Sequence, residues 1–311
     1  MKTAFFKRAS FLLPAAIAAG AFLLRLIAGI QLLANDPSAF APLDTTDMAT
    51  YKTLSEQILN GTFPEVFYYQ PFYYSVFLPL IQSLTGPSGF MIVLAQSLCG
   101  ALAVWFTSLS AWMLGGRRTG MLAGILLALS GLAVLYTPYR LIAVSQLCWF
   151  SLLLFLTLRA MRKGGLLRWF LAGLALSVAI LSRGNALIFL FPLLLACFQG
   201  ERQIRKTTGK RLALSMLMII LGTWLPQLPF MAVNTIHTGS LSGPSTAGSA
   251  VLALGNTKEA PPGGLEYPES FRIWTADTAT RSVPLRIWDW FLEEPSAFLE
   301  LTFLSLIHIS E

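Results

Sequence analysis

The chain has 311 residues, of which 55% are hydrophobic and only 12% are charged. Together with a mean hydropathy of +0.65, this composition excludes an ordinary soluble domain, in which about 25% of residues are charged. Apolar runs of about 18 residues or more recur along the chain, which is long enough to cross the hydrocarbon core of a bilayer. The sequence therefore predicts an all-α polytopic membrane protein.

The net charge of +7 is concentrated in short basic blocks between the apolar runs. Such blocks are typical of cytoplasmic loops, so they predict membrane topology rather than a nucleic-acid surface. The blocks are Lys2, Lys7 and Arg8; Arg117 and Arg118; Arg159, Arg162, Lys163 and Arg168; and Arg202, Arg205, Lys206, Lys210 and Arg211. This distribution predicts a cytoplasmic N-terminus.

The apolar runs predict about seven transmembrane helices. The predicted spans are 11–34, 88–114, 119–137, 142–159, 165–182, 186–199 and 211–233. Arg25 lies within the first span, where a charge is costly, so its side chain should face the bundle or a polar groove. The alternative is that Arg25 snorkels toward the headgroups.

The segment 67–85 is also apolar, but the basic blocks argue against a further span. If this segment crossed the bilayer, the later basic blocks would fall on inconsistent sides. Its density of aromatic residues from Phe67 to Tyr73, together with Pro71 and Pro79, is typical of an interfacial segment. We therefore expect interfacial helices in a first external loop, 35–87.

Two carboxylates stand at the head of a predicted helix in this loop. Asp44 and Asp47 precede the helical pattern that starts at Met48. Both could simply cap that helix. Alternatively, one of them could act as a general base, which requires an oxygen within hydrogen-bond reach of an acceptor.

Two arginines lie at predicted external turns, Arg183 in LSRGNALIFLFP and Arg140 in YTPYRLIAVSQ. A guanidinium at headgroup depth suits bidentate binding of phosphate. Interfacial anchoring of the helices is the alternative for both residues.

The C-terminal part of the chain is different in character. Residues 1–233 form the predicted transmembrane module, and residues 234–295 form an external loop region rich in turn signals, with short helices expected near 270–292. Residues 296–311 start a further helix that stops short of a span. The sequence thus looks C-terminally truncated.

Three stretches resemble the GT-C glycosyltransferases, in particular the bacterial branch related to protein O-mannosyltransferases and aminoarabinose transferases. DMATYKTLSEQILNG, followed by QPFYYSVFLPLIQSLTG, resembles the first external loop of that family. LSRGNALIFLFP is similar to its arginine-bearing turn, and NTIHTGSLSGPSTAGSAVLALGN to a later external pattern.

The resemblance implies an inverting membrane glycosyltransferase at the outer face of the bacterial inner membrane. Its donor would be a polyprenyl-phosphate-linked sugar, and its acceptor a lipid, a glycan or a protein. By position, Asp47 matches the catalytic acid of the loop, with Tyr51 four residues later as its marker. Asp44 is the second candidate or a helper, and Arg183, with Arg140, would contact the donor phosphate.

One position departs from the family pattern. Relatives often carry an acid after the third span, where this chain has Ser145 and Gln146. A neutral amide such as Gln146 can still hydrogen-bond a substrate, but it weakens a divalent metal site. A metal is therefore possible but not required by the sequence.

Two other classes of protein are compatible with the composition. A transporter or flippase for a lipid-linked precursor would also contain an intramembrane arginine, although no internal symmetry is visible. An assembly or scaffold protein becomes the better interpretation if both aspartates only cap the helix.

Overall fold

The fold is described from a computed structural model, over residues 2–39, 41–44, 46–260, 267–276 and 281–308. All regular elements in these ranges are helical, so the predicted all-α polytopic class is confirmed. The chain divides into two compact units, Met1–Pro244 and Ser245–Glu311.

Over its described residues, the first unit contains ten α-helices. They are α1 (Lys2–Asn35), α2 (Asp47–Leu59), α3 (Leu78–Thr85), α4 (Gly89–Ala128), α5 (Gly131–Leu135), α6 (Ile142–Lys163), α7 (Leu166–Ser182), α8 (Leu190–Phe198), α9 (Gly209–Trp224) and α10 (Leu228–Thr238). The second unit contains α11 (Gly248–Gly255), α12 (Glu269–Ala276), α13 (Val283–Glu293) and α14 (Pro295–His308).

Five helical stretches in the described residues are long and apolar enough to cross a membrane. They are Leu12–Asn35, Gly89–Ala128, Ile142–Lys163, Gly184–Ile204 and Gly209–Thr238. The second is broken at Gly116, whose φ of +83° favours glycine, so α4 consists of two segments. The predicted spans 88–114 and 119–137 fall on these two segments, and the predicted span 165–182 falls on the shorter apolar helix α7.

The predicted span 119–137 is shorter in the structure, because α4 ends at Ala128 and α5 follows after a break. Arg25 lies at this break. Its side chain is completely buried and donates to the carbonyls of Leu127, at 3.0 Å, and Ala128, at 3.3 Å. Arg25 therefore faces the bundle, where its charge lies against carbonyls at the C-terminal end of α4.

The long helices pack as neighbours in the order α1, α4, α6, α7 and α9. Two glycines, Gly173 of α7 and Gly222 of α9, lie at a close approach of these two helices. A Cβ atom on Gly173 would lie 2.4 Å from the Ile219 carbonyl oxygen, and one on Gly222 would lie 2.3 Å from that of Phe170. Small residues permit this crossing, as they do in many membrane bundles.

The first external loop folds into two layers. The lower layer is the helical segment 71–85, which contains a π-helical stretch at Tyr73–Phe77 and continues as α3. Helix α2 lies on it, and the Ser55 hydroxyl donates to Gln82 Oε1 at 2.6 Å in the buried contact. The aromatic residues on which the prediction of an interfacial segment rests therefore also pack against α2.

The second unit contains short helices at the positions expected near 270–292, namely α12 and α13. Within it, Arg281 pairs with Asp289 at 2.5 Å, and Lys258 pairs with Glu294 at 2.5 Å. Both ion pairs are exposed, so each contributes little to stability.

Candidate functional site

Asp47 is the first residue of α2, but it does not cap that helix. The N-cap is Thr46, whose side-chain oxygen accepts from the Ala49 N–H at 3.4 Å. Asp47 is exposed, and its Oδ2 accepts a hydrogen bond from the Tyr69 hydroxyl at 3.3 Å. Among the described residues, Oδ1 of Asp47 has no hydrogen-bond partner. The capping interpretation of Asp47 therefore loses its basis, since Thr46 fills that role.

Asp44 lies in the turn before α2 and is exposed. It has no hydrogen bond or ion pair with any residue that the structure describes. The two carboxylates thus differ in their surroundings: Asp47 contacts an aromatic side chain, and Asp44 faces solvent.

Tyr51 lies one helical turn after Asp47, so the two side chains share a face of α2. Tyr51 is completely buried, and its hydroxyl donates to Gln70 Oε1. Its ring stacks on Tyr69, with centroids 6.0 Å apart, and meets the edge of Tyr73 at 5.1 Å. These contacts make Tyr51 a support beneath the carboxylate rather than an exposed ligand.

Arg183 follows the end of α7 in an extended backbone conformation and is exposed. Its guanidinium has no hydrogen bond or ion pair within the described part of the chain. Beside it opens a cavity of about 570 Å³. The lining residues are Ala143, Gln146, Leu147, Phe150, Arg183, Asn185, Ile188 and Phe189. The lining thus combines three polar side chains, those of Gln146, Arg183 and Asn185, with five apolar ones.

The charges of Asp47 and of Arg183, which lines the cavity, both affect the pKa values of two tyrosines. Burial raises the pKa of Tyr51, the carboxylate of Asp47 raises it further, and the positive charge of Arg183 acts in the opposite direction. The pKa of Tyr69 is also raised, chiefly by burial, and again Asp47 and Arg183 act on it with opposite signs. The charges of Asp47 and Arg183 therefore both act on Tyr51 and Tyr69.

Arg140 lies in different surroundings from Arg183. It is buried, with 3% of its surface exposed, and its Nη1 donates to the Ala39 carbonyl at 3.2 Å. The adjacent Tyr139 hydroxyl donates to Asp36 Oδ2 at 2.6 Å. Both contacts connect the turn before α6 to the start of the first external loop. Arg140 does not line the cavity, whereas Gln146 does.

Two residues of the site were not singled out from the sequence. Tyr69 was one of many aromatics in the predicted interfacial belt. Asn234 is completely buried and accepts from the Phe67 N–H at 2.7 Å, and its amide nitrogen donates to the carbonyls of Phe67, at 3.3 Å, and Gly243, at 2.8 Å. A polar residue near the end of the last predicted span was the available signal for Asn234.

A metal site does not form from the residues that the structure describes. Among them, no group of three or more His, Cys, Asp or Glu side chains comes together. Asp44 and Asp47 are both exposed, and Gln146 offers only a neutral amide. We therefore assign no step to a metal ion.

Comparison with known proteins agrees with this architecture. A family model described as dolichyl-phosphate-mannose-protein mannosyltransferase matches residues 69–229, which is more than half of the chain. The matched segment includes Tyr69, Gln146 and Arg183, whereas Asp47 and Tyr51 precede it. No curated protein and no solved structure matches the chain significantly.

Proposed function

Because the chain belongs to the dolichyl-phosphate-mannose-protein mannosyltransferase family, and so to the GT-C class of membrane glycosyltransferases, we propose that it moves a sugar from a polyprenyl-phosphate donor to an acceptor. The reaction takes place at the outer face of the inner membrane, with the N-terminus in the cytoplasm. The acceptor is a lipid, a glycan or a protein that presents a hydroxyl or an amine.

The proposal is supported by an exposed acid on the first external loop, Asp47, and an exposed cation beside a cavity, Arg183. An acid with an oxygen available and a cation without a partner among the described residues act on the same pair of tyrosines. The Asp47 carboxylate is suited to accept a proton, and the Arg183 guanidinium is suited to bind a phosphate. A ligand with a polar head and an apolar tail matches the cavity beside Arg183, because its lining contains both polar and apolar side chains.

In the proposed reaction, Asp47 accepts the proton of the acceptor hydroxyl or amine. The acceptor oxygen or nitrogen attacks the anomeric carbon, and the bond from that carbon to the phosphate oxygen breaks. The lipid phosphate leaves with the bonding electron pair and is stabilised by Arg183. Attack opposite the leaving group inverts the configuration of the anomeric carbon. Gln146 and Asn185, which line the same cavity, hydrogen-bond the donor in this proposal.

Asp44 and Arg140 take supporting roles in this proposal. Asp44 is three residues from Asp47 and exposed, so it is available to contact the acceptor. Arg140 fixes the start of the first external loop through Ala39. A direct role for Arg140 at the donor phosphate remains the sequence-based prediction.

Transfer of radiolabelled sugar in vesicles tests the role of the acid. A general base contributes about 10²- to 10⁴-fold to a rate, so Asp47→Asn should lower transfer from polyprenyl-phosphate donors by at least about 100-fold. Asp44→Asn, three residues earlier, should cause a smaller loss, because Asp44 contacts the acceptor without accepting its proton. Full activity in both variants would sink the general-base proposal. Movement of the donor across the bilayer without transfer would favour a transporter instead.

A further inference from the structure

Resting on the function proposed above, we propose that Tyr69 is a positioning residue that holds the Asp47 carboxylate in its working orientation. Its hydroxyl donates to Asp47 Oδ2 at 3.3 Å, and its ring stacks on Tyr51. The Tyr69 side chain therefore contacts both Asp47 and Tyr51, which lie one turn apart on the same face of α2.

The carboxylate needs such a contact because nothing else in the described structure holds it. Asp47 stands exposed at the first position of α2, and Thr46 has taken over the capping bond that would otherwise fix an acid there. An exposed side chain of this kind samples several rotamers. A hydrogen bond to Oδ2 selects one of them and leaves Oδ1 for the acceptor.

Tyr69 is itself held firmly, although it lies outside any helix. Two residues before it, Phe67 is buried, and its backbone N–H and carbonyl both bond to the side chain of Asn234. One residue after it, Gln70 accepts from the Tyr51 hydroxyl. The Phe67 ring also meets Phe230 of α10 edge-on, with centroids 4.9 Å apart.

The contacts thus form a connected path from α10 to the acid. Asn234 fixes Phe67, the short segment 67–70 carries Tyr69 over Tyr51, and Tyr69 orients Asp47. A site held this way is set before substrate binds, which is what efficient proton transfer requires. We therefore expect that loss of the Tyr69 hydroxyl lowers the turnover rate and leaves the affinity for the donor unchanged.

Steady-state kinetics of Tyr69→Phe test the inference, because this variant keeps the ring and removes only the hydroxyl. We expect kcat to fall about tenfold, the typical effect of losing one hydrogen bond to a charged group. The KM for the polyprenyl-phosphate donor should stay within about twofold of the parent value. Tyr136→Phe, which lies outside this set of contacts, should leave both constants unchanged.

A double-mutant cycle separates positioning from a general loss of stability. Asp47→Glu keeps a carboxylate but displaces it, so adding Tyr69→Phe to Asp47→Glu should cause little further loss. Additive losses would overturn the inference, as would a raised donor KM with unchanged kcat. If Asp47→Asn is inactive while Tyr69→Phe matches the parent, only this inference fails. If Asp47→Asn is fully active, the general-base role of Asp47 fails and the inference with it, whereas a parent protein that transfers no sugar would overturn the proposed function.

Discussion

At the scale of single residues, the neighbours of Asp47 determine which roles its carboxylate can take. Thr46 satisfies the start of α2, so the next residue is not used for capping. Tyr51 is buried beneath it, and the charge of Arg183 acts on the same pair of tyrosines. Among the described residues, neither Asp47 nor Arg183 is held by an ion pair.

Arg183 should be sensitive to geometry as well as to charge. A guanidinium can bind a phosphate with two parallel hydrogen bonds, and an ammonium cannot. We expect Arg183→Gln to raise the KM for the polyprenyl-phosphate donor by about 10- to 100-fold and Arg183→Lys to restore only part of the loss. Arg117→Gln, at an exposed arginine in a predicted cytoplasmic block, is the control. Full rescue by lysine would show that charge alone is needed.

At the scale of elements, the first external loop depends on contacts with α10. Asn234→Ala should leave the Phe67 and Gly243 backbone groups without their partners, at a cost of about 1–3 kcal/mol for each group that stays dry. Hydrogen exchange should therefore rise in segment 62–70. Asn35→Ala, which removes one exposed hydrogen bond to the Gln31 carbonyl, should not change it. Unchanged exchange in Asn234→Ala would mean that the loop is held by its aromatic packing.

The contact between α7 and α9 offers a second test at this scale. Gly173→Ala would place a methyl group 2.4 Å from the Ile219 carbonyl oxygen, which forces the helices apart. We expect a destabilisation of about 1–3 kcal/mol, as for other overpacked sites, measured by thermal unfolding in detergent. Gly20→Ala, where no atom lies within 4 Å, should be close to neutral. Equal stability of the two variants would contradict this packing.

At the scale of the whole molecule, the chain is a multi-pass membrane protein of the GT-C class, as the resemblance of its three stretches implied. Its proposed topology places the first external loop outside and the basic blocks inside. A cysteine at Ser83 should react with an impermeant thiol reagent in intact cells, whereas one at Arg118 should react only after permeabilisation. The parent protein, with its native cysteines Cys99, Cys148 and Cys197, gives the background. Protection of Ser83→Cys in intact cells would overturn the topology.

Much of this architecture could be predicted from the sequence because its determinants are local. The length of the apolar runs predicts the membrane spans. A spacing of four residues places Asp47 and Tyr51 on one face of a helix. Arg25 could be assigned to the bundle or to the headgroups, but its carbonyl partners on α4 lie more than a hundred residues away. The partners of Arg140 and Asn234, Ala39 and Phe67, also lie more than a hundred residues away, and Tyr69 bonds Asp47 over 22 residues. Such contacts depend on tertiary packing, which no short pattern encodes.

The hydrogen bonds between Phe67 and Asn234 join residues 167 positions apart, and this separation has a consequence for biosynthesis. At about 5–20 residues per second, the ribosome needs roughly 10–30 s after making Phe67 before it has made Asn234. During that interval the loop carrying Asp47 and Tyr69 is already in place but lacks its anchor. The proposed active site is therefore completed only when α10 emerges, so a nascent chain interrupted before residue 234 should be inserted in the membrane and yet remain inert.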